Sequence, residues 1–281
     1  MFRSLVAISA LSFLAPLSAD ESANRIYLSS GVSCRNTEVK SEDGSSCQAN
    51  GVYPFVELGF DHTKANSIYW GLNLGLAVGK RKIAIKDNEN LADEEDGIDS
   101  DEEISIDDLN SLGLDGELRL GYTFKHSKRA LLITPFVGYG SFGEVFDVED
   151  SSIGYGAQYL AVGLRNSYKC SQTWDIDCNL KVLRTFNETL LAKADGAEVR
   201  MHLDGGHWQF GAELPLRYYP TASRTVDISF VPFISFWSDM GDKKPLSTFD
   251  MDDERVSEQT NNRYKWSSWA LGLGVQIGKK F

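Results

Sequence analysis

The chain has no run of 18 consecutive apolar residues, and its mean hydropathy is slightly negative. A helix crossing a bilayer core of about 30 Å needs close to 20 such residues, so a spanning α-helix in the mature chain is not expected. Positive charge is scarce: 28 lysines and arginines face 40 aspartates and glutamates, leaving a formal net charge of −12. Nucleic acid is therefore a poor partner, since phosphate contacts need a basic surface. Histidine is scarce as well, with four in 281 residues. No zinc ligand set, glycine-rich phosphate loop or nucleophile elbow is visible, so no cofactor is expected. There is no linker or break in composition that would divide the chain.

What is present begins at the amino terminus. Arg3 gives a short positive region, Leu5 to Leu14 is mostly apolar, and Pro16-Leu17-Ser18-Ala19 precedes Asp20. This pattern reads as a secretory signal peptide over residues 1–19, cleaved after Ala19. Residues 20–281 would then form one exported domain. Four cysteines in an exported chain suggest two disulfides, and the spacings favour local pairs, Cys34 with Cys47 and Cys170 with Cys178. Metal binding is the weaker alternative, because neither pair has close C-x-x-C spacing or neighbouring histidines.

The carboxy-terminal segment alternates strictly. Trp269, Leu271, Leu273, Val275 and Ile277 fall on one face, and Ala270, Gly272, Gly274, Gln276 and Gly278 on the other, ending at Phe281. Ile68 to Val78 repeats the pattern, with Trp70, Leu72, Leu74 and Leu76 opposed to Tyr69, Gly71, Asn73 and Gly75. Leu112–Phe124, Leu131–Phe142, Tyr155–Tyr168, Leu180–Thr189, Trp208–Tyr219, Val226–Trp237 and Tyr264–Phe281 follow it, with Val52–Phe60 and the shorter Arg25–Ser30 upstream. That makes ten candidate strands of the length that crosses a membrane when tilted. Eight is the alternative, if Arg25–Ser30 and the ragged Leu180–Thr189 region are misread.

A strand with one aliphatic and one small or polar face, ending on a terminal aromatic, resembles the closing strand of a Gram-negative outer-membrane β-barrel. The resemblance covers the whole mature chain and reaches the small, porin-like class without fixing a subfamily. It implies an all-β, antiparallel, up-and-down transmembrane barrel in the outer membrane. It further implies contact with outer-membrane lipid and lipopolysaccharide, and recognition of the strand ending at Phe281 by the barrel-assembly machinery. Even strand number places both termini in the periplasm. Short turns at Asp61–Asn66, Lys125–Arg129, Lys169–Cys178 and Pro220–Arg224 then lie inside. Longer loops at Gly31–Asn50, Ile83–Ser111, Glu144–Gly154, Ala192–Gly205 and Ser238–Arg263 lie outside. Aromatics near both strand ends fit two interfacial belts. A soluble sandwich would bury its aliphatic faces and leave polar faces outward.

The inward face is expected to carry Glu57, Asp115, Glu117, Glu213 and Asp227 against Arg119, Arg165, Lys181 and Arg217. Such a balanced set can pair across a narrow lumen, and the inward glycines make room for it. A barrel this small is filled mainly by its own side chains, although a constricted channel lined by both signs is the other reading. The longest outer loop has twelve acidic residues between Asp87 and Asp108 and no lysine or arginine among them. It reads as a solvated, self-repelling segment. Divalent-cation binding at Asp99-x-Asp101-x-Glu103 is the sharper alternative, although an EF-hand's glycine and distal glutamate are missing.

Outer-membrane lipases carry a His-x-Ser pair on the lipid face, which His126-Ser127 does not match. Outer-membrane proteases use Asp and His at the outer rim. His202, Asp204 and His207 cluster near that rim, but Asp204-Gly205-Gly206 reads first as a turn. The expectation is a non-enzymatic surface barrel, with a small-solute channel of modest cation preference as runner-up and a hydrolase third.

Overall fold

In the computed structural model the described residues are 24–41, 46–86, 103–126, 131–148, 151–194, 197–203, 206–238, 246–251, 254–259 and 264–281. The expected signal peptide therefore lies outside them, as do residues 87–102 of the acidic loop.

Alternation of large apolar and small or polar side chains makes these segments strands, and one face of each must meet an apolar phase. The order is β1 Asn24–Ser41, β2 Ser46–His62, β3 Ser67–Lys86, β4 Glu103–His126, β5 Leu131–Val148, β6 Ser151–Lys169 and β7 Trp174–Ala194. Then come β8 Ala197–Leu203, β9 Trp208–Glu213, β10 Leu216–Tyr218, β11 Val226–Ser238, β12 Leu246–Met251, β13 Glu254–Gln259 and β14 Tyr264–Lys280. Each of β1 to β7 pairs antiparallel with the next. β8, β9 and β10 are consecutive pieces of a single wall strand, all paired with β7. β9 and β10 pair on their other side with β11, and β11 with β14. The seam closes where β14 meets β1, from Arg25 opposite Lys280 to Ser41 opposite Tyr264. The wall thus has ten strands, and β12 and β13 form a separate hairpin outside it. The ten-strand expectation holds and the eight-strand alternative falls.

Parity sorts the side chains along the belt. On β4, Leu112, Leu114, Leu118, Leu120, Tyr122 and Phe124 face outward and are at least 40% exposed. Glu117 and Thr123 face inward and are buried. At a rise of about 3.4 Å and a tilt near 40°, Leu112 to Phe124 covers about 30 Å, the thickness of bilayer hydrocarbon. No interior receives these leucines; the outward faces of Leu74, Leu160, Phe230 and Leu273 continue the belt around the barrel.

Two expectations need correction. Much of what read as outer loop is strand: β1 runs on to Ser41, β2 begins at Ser46, β3 reaches Lys86 and β4 starts at Glu103. Above the belt the outward side chains become Asn36, Asn50, Lys80, Lys82 and Asn110, so the barrel wall leaves the hydrocarbon and continues into water. The nine residues of β4 before Leu112 alone add about 20 Å.

The disulfides are the second correction: all four cysteines are free thiols. Cys34 sits opposite Val52, whereas Cys47 sits opposite Val39 five residues further up β1. Odd positions of β1 and β2 face the lumen, so the two sulfurs also lie on opposite sides of the wall. Cys178 stands opposite Asn166, while Cys170 lies past the end of β6. A bridge needs Cα atoms within about 7 Å and converging side chains, and neither pair offers that.

Candidate functional site

Inward glycines open the lumen to long polar side chains. A Cβ on Gly59 would lie 2.0 Å from the Tyr27 ring, and one on Gly140 would lie 2.3 Å from the Tyr159 ring. Tyr27 and Tyr159 fold across those gaps, and each joins a network of charges that crosses the barrel.

At the centre is Asp61 of β2. Its Oδ1 accepts from Arg165 Nη1 at 2.7 Å, from the Tyr69 hydroxyl at 2.9 Å and from Arg119 Nη2 at 3.4 Å. Arg165 stands on β6, four wall strands from β2 in a barrel of ten, so this contact spans the lumen. Arg119 Nη2 also donates to Asn73 Oδ1 at 2.5 Å, and the Tyr27 hydroxyl donates to the same oxygen at 2.6 Å. One step outward, Glu117 Oε2 accepts from Lys181 Nζ at 2.7 Å and from the Tyr159 hydroxyl at 3.0 Å. Arg119 Nε lies 3.6 Å from the other oxygen of Glu117.

A second network closes the periplasmic side. Arg25 grips Asp227 with two bonds, Nε to Oδ2 at 3.0 Å and Nη2 to Oδ1 at 2.6 Å, and also reaches Gln276. Arg217 pairs with Asp177 and has its Nε 3.7 Å from Asp227. The Tyr219 hydroxyl donates to Asp175 at 2.8 Å, and Arg224 pairs with the same carboxylate. Toward the outside, Arg81 pairs with Glu144 at 2.9 Å. Aromatic contacts close the remaining section: Phe55 meets Phe233 at 5.7 Å, and Phe142 of β5 meets Trp237 of β11 edge-on at 5.0 Å.

Of the nine lumen charges expected from sequence, Glu117, Arg119, Arg165, Lys181, Arg217 and Asp227 are therefore in ion pairs. Glu57, Asp115 and Glu213 have no cation within ion-pair distance among the described residues. Glu57 lies 3.3 Å from the Tyr27 hydroxyl, and Glu213 accepts from Asn179. These three line a mid-lumen cavity of about 190 Å³. Sequence reasoning missed Arg25, Asp61, Asp175 and Asp177. The turns expected at Asp61–Asn66 and Lys169–Cys178 include Asp61, Asp175 and Asp177, whereas these three residues belong to β2 and β7. The odd-numbered phase running from Tyr53 through Glu57 to Asp61 was the available signal.

The histidine cluster resolves differently from its sequence reading. His207 Nδ1 lies 2.7 Å from Glu188 Oε1, and its backbone N donates to Thr185 Oγ1 at 2.5 Å. Thr185 in turn donates to Glu188. The residue is 5% exposed, packed where β8 breaks into β9 against an irregularity in β7. Asn187 has φ +50° and Gly206 has φ +94°. A Cβ on Gly206 would lie 2.0 Å from the Thr185 carbonyl oxygen, so only glycine fits there. His202 belongs to β8, and Asp204 lies outside the described residues. Glu188 escaped sequence reasoning because the bulge shifts it out of the strand's alternation.

No family model matches the chain, and no curated protein matches it. Among solved structures it is similar to the outer-membrane protease OmpT of Escherichia coli, with a TM-score of 0.70 at 11% identity over 95% of this chain and 99% of that one. It also aligns with the transport unit of the autotransporter AIDA-I of Escherichia coli, with a TM-score of 0.44, 12% identity and coverage of 100% and 97%. For OprG of Pseudomonas aeruginosa the values are 0.37, 12%, 93% and 98%. At such identity the likeness concerns the fold. Fold, apolar belt and closed seam define the class: an integral transmembrane β-barrel of the outer-membrane type.

Proposed function

We propose that the protein is a non-enzymatic outer-membrane barrel with a braced, non-conducting lumen. In this reading the wall holds long extracellular strand extensions and acid-rich loops at the cell surface, where they meet other surface molecules or divalent cations. The observation that carries it is the Asp61–Arg165 contact joining β2 to β6 through the lumen, reinforced by Arg119 and Tyr69. A pore has no use for an ion pair across its axis, whereas a scaffold standing beyond the membrane gains rigidity from one. Burial of His207 against Glu188 and Thr185 argues against its use as a general base, because the ring has little access to substrate.

A gated channel is the second reading, and one observation favours it. The mid-lumen cavity and the inner-mouth cavity share Arg25, Asp61, Arg165, Asp177, Asn179 and Arg217, so one polar layer stands between them. Planar-bilayer recording separates the two. The scaffold reading expects no steady conductance from the unaltered protein, and conductance to appear when Asp61→Ala and Arg165→Ala are combined. Steady conductance from the unaltered barrel would replace the scaffold with the channel.

A further inference from the structure

The inner mouth holds a cavity of about 450 Å³ whose lining comes from the chain ends and the inner turns. Its charges do not follow those of the chain as a whole. Arg25, Arg165, Arg217 and Arg224 line it, but each is committed to a carboxylate: Asp227, Asp61, Asp177 and Asp175 in turn. The Oδ1 atoms of Asp175 and Asp177 are shut off from solvent and have no hydrogen-bond partner, while the Oδ2 atom of each carboxylate holds its arginine. Three cations are left over. Lys125, Lys169 and Lys280 line the same space, and among the described residues none of them has a carboxylate within ion-pair distance.

Two of these follow from strand parity: Lys125 continues the inward phase of β4 through Arg119 and Thr123, and Lys169 that of β6 through Arg165 and Ser167. The third is held in place. Lys280 Nζ donates to the Tyr219 hydroxyl at 2.8 Å and sits 4.7 Å from the ring centroid, while Arg224 covers the same ring at 3.9 Å. A protein of net charge −12 has thus gathered surplus positive charge in one concave, half-enclosed space facing the periplasm. Low-dielectric walls around like charges focus their field on whatever enters.

We infer that this vestibule binds a small periplasmic oligoanion, one carrying two or more phosphate or carboxylate groups. The volume admits a few such groups with their water and excludes a folded partner. Three ammonium groups from three separate elements suit several oxyanion groups on one molecule better than a lone monoanion. Ser167 and Thr63, which also line the space, add neutral hydroxyl donors. The site is independent of whether the lumen conducts.

Isothermal titration of the full barrel in detergent, with pyrophosphate in one arm and citrate in the other, tests this. The expected result is saturable one-to-one binding of at least one probe, weakened about tenfold by Lys125→Gln with Lys169→Gln and further by added salt. Both lysines are exposed, and heat-modifiable gel mobility checks that the variant barrel is folded. Binding of pyrophosphate alone assigns the site to phosphates, and of citrate alone to carboxylates. Failure of both to saturate, or equal affinity in the folded variant, overturns the inference.

Discussion

Replacing Asp61 with alanine is expected to remove about 3–5 kcal/mol of stability, the range for breaking a buried ion pair on one side. The measurement is equilibrium unfolding in urea of the lipid-embedded barrel. The size follows from what is stranded. Asp61 Oδ1 alone takes three donors, and two of them are guanidinium groups whose own charges then face each other at close range. Arg119 keeps Glu117 at 3.6 Å, but the described residues give Arg165 no second carboxylate. Arg165→Ala alone should cost less, because Asp61 retains Arg119 and Tyr69. The double variant should cost clearly less than the two single losses added, since it removes both halves of the pair at once. Strict additivity would mean that the contact across the lumen contributes nothing.

The second large effect lies on the opposite face of the same wall. Leu118→Arg is expected to destabilise the barrel by about 2–4 kcal/mol, the cost of arginine near the bilayer midplane. Leu118 is 59% exposed and stands midway along the outward series from Leu112 to Phe124. Water around that side chain would make the change nearly neutral, so the size of the effect identifies the solvent. Asn110→Arg, outward on the same strand but above the belt, should cost close to nothing. Folding titrations of both variants into lipid vesicles give the comparison directly.

The limits of what could be read in the chain follow from the same belt. Strand segments were legible where hydrocarbon demands aliphatic side chains at every second position, as at Ile68–Val78 and Leu112–Phe124. Beyond that zone Asn36, Asn50, Lys80 and Lys82 satisfy water as well as any loop would, and the extensions of β1 to β4 left no period-two signal. The hairpin of β12 and β13 was invisible for the same reason. The cysteines misled because exported chains so often oxidise them, although phase alone was informative: Cys34 shares the outward phase of Val32, and Cys47 the inward phase of Tyr53. For the lumen, parity says which charges share the inward phase but not which of them meet. Asp61 reaches Arg165 over 104 residues of separation, a partnership set by barrel closure rather than by any local pattern. The bulge at Asn187 hid Glu188 by breaking parity just where it mattered.

Spin-label accessibility along β4 decides whether lipid surrounds this wall and water reaches its inner side. Labels placed singly at Leu114, Leu118 and Leu120 in a cysteine-free background, with Asp115 as the inward control, would be read in reconstituted vesicles. A lipid-facing wall predicts strong relaxation by dissolved oxygen at the three leucine positions and by a water-soluble nickel chelate at Asp115. Nickel access at Leu118 equal to that at Asp115 would contradict it.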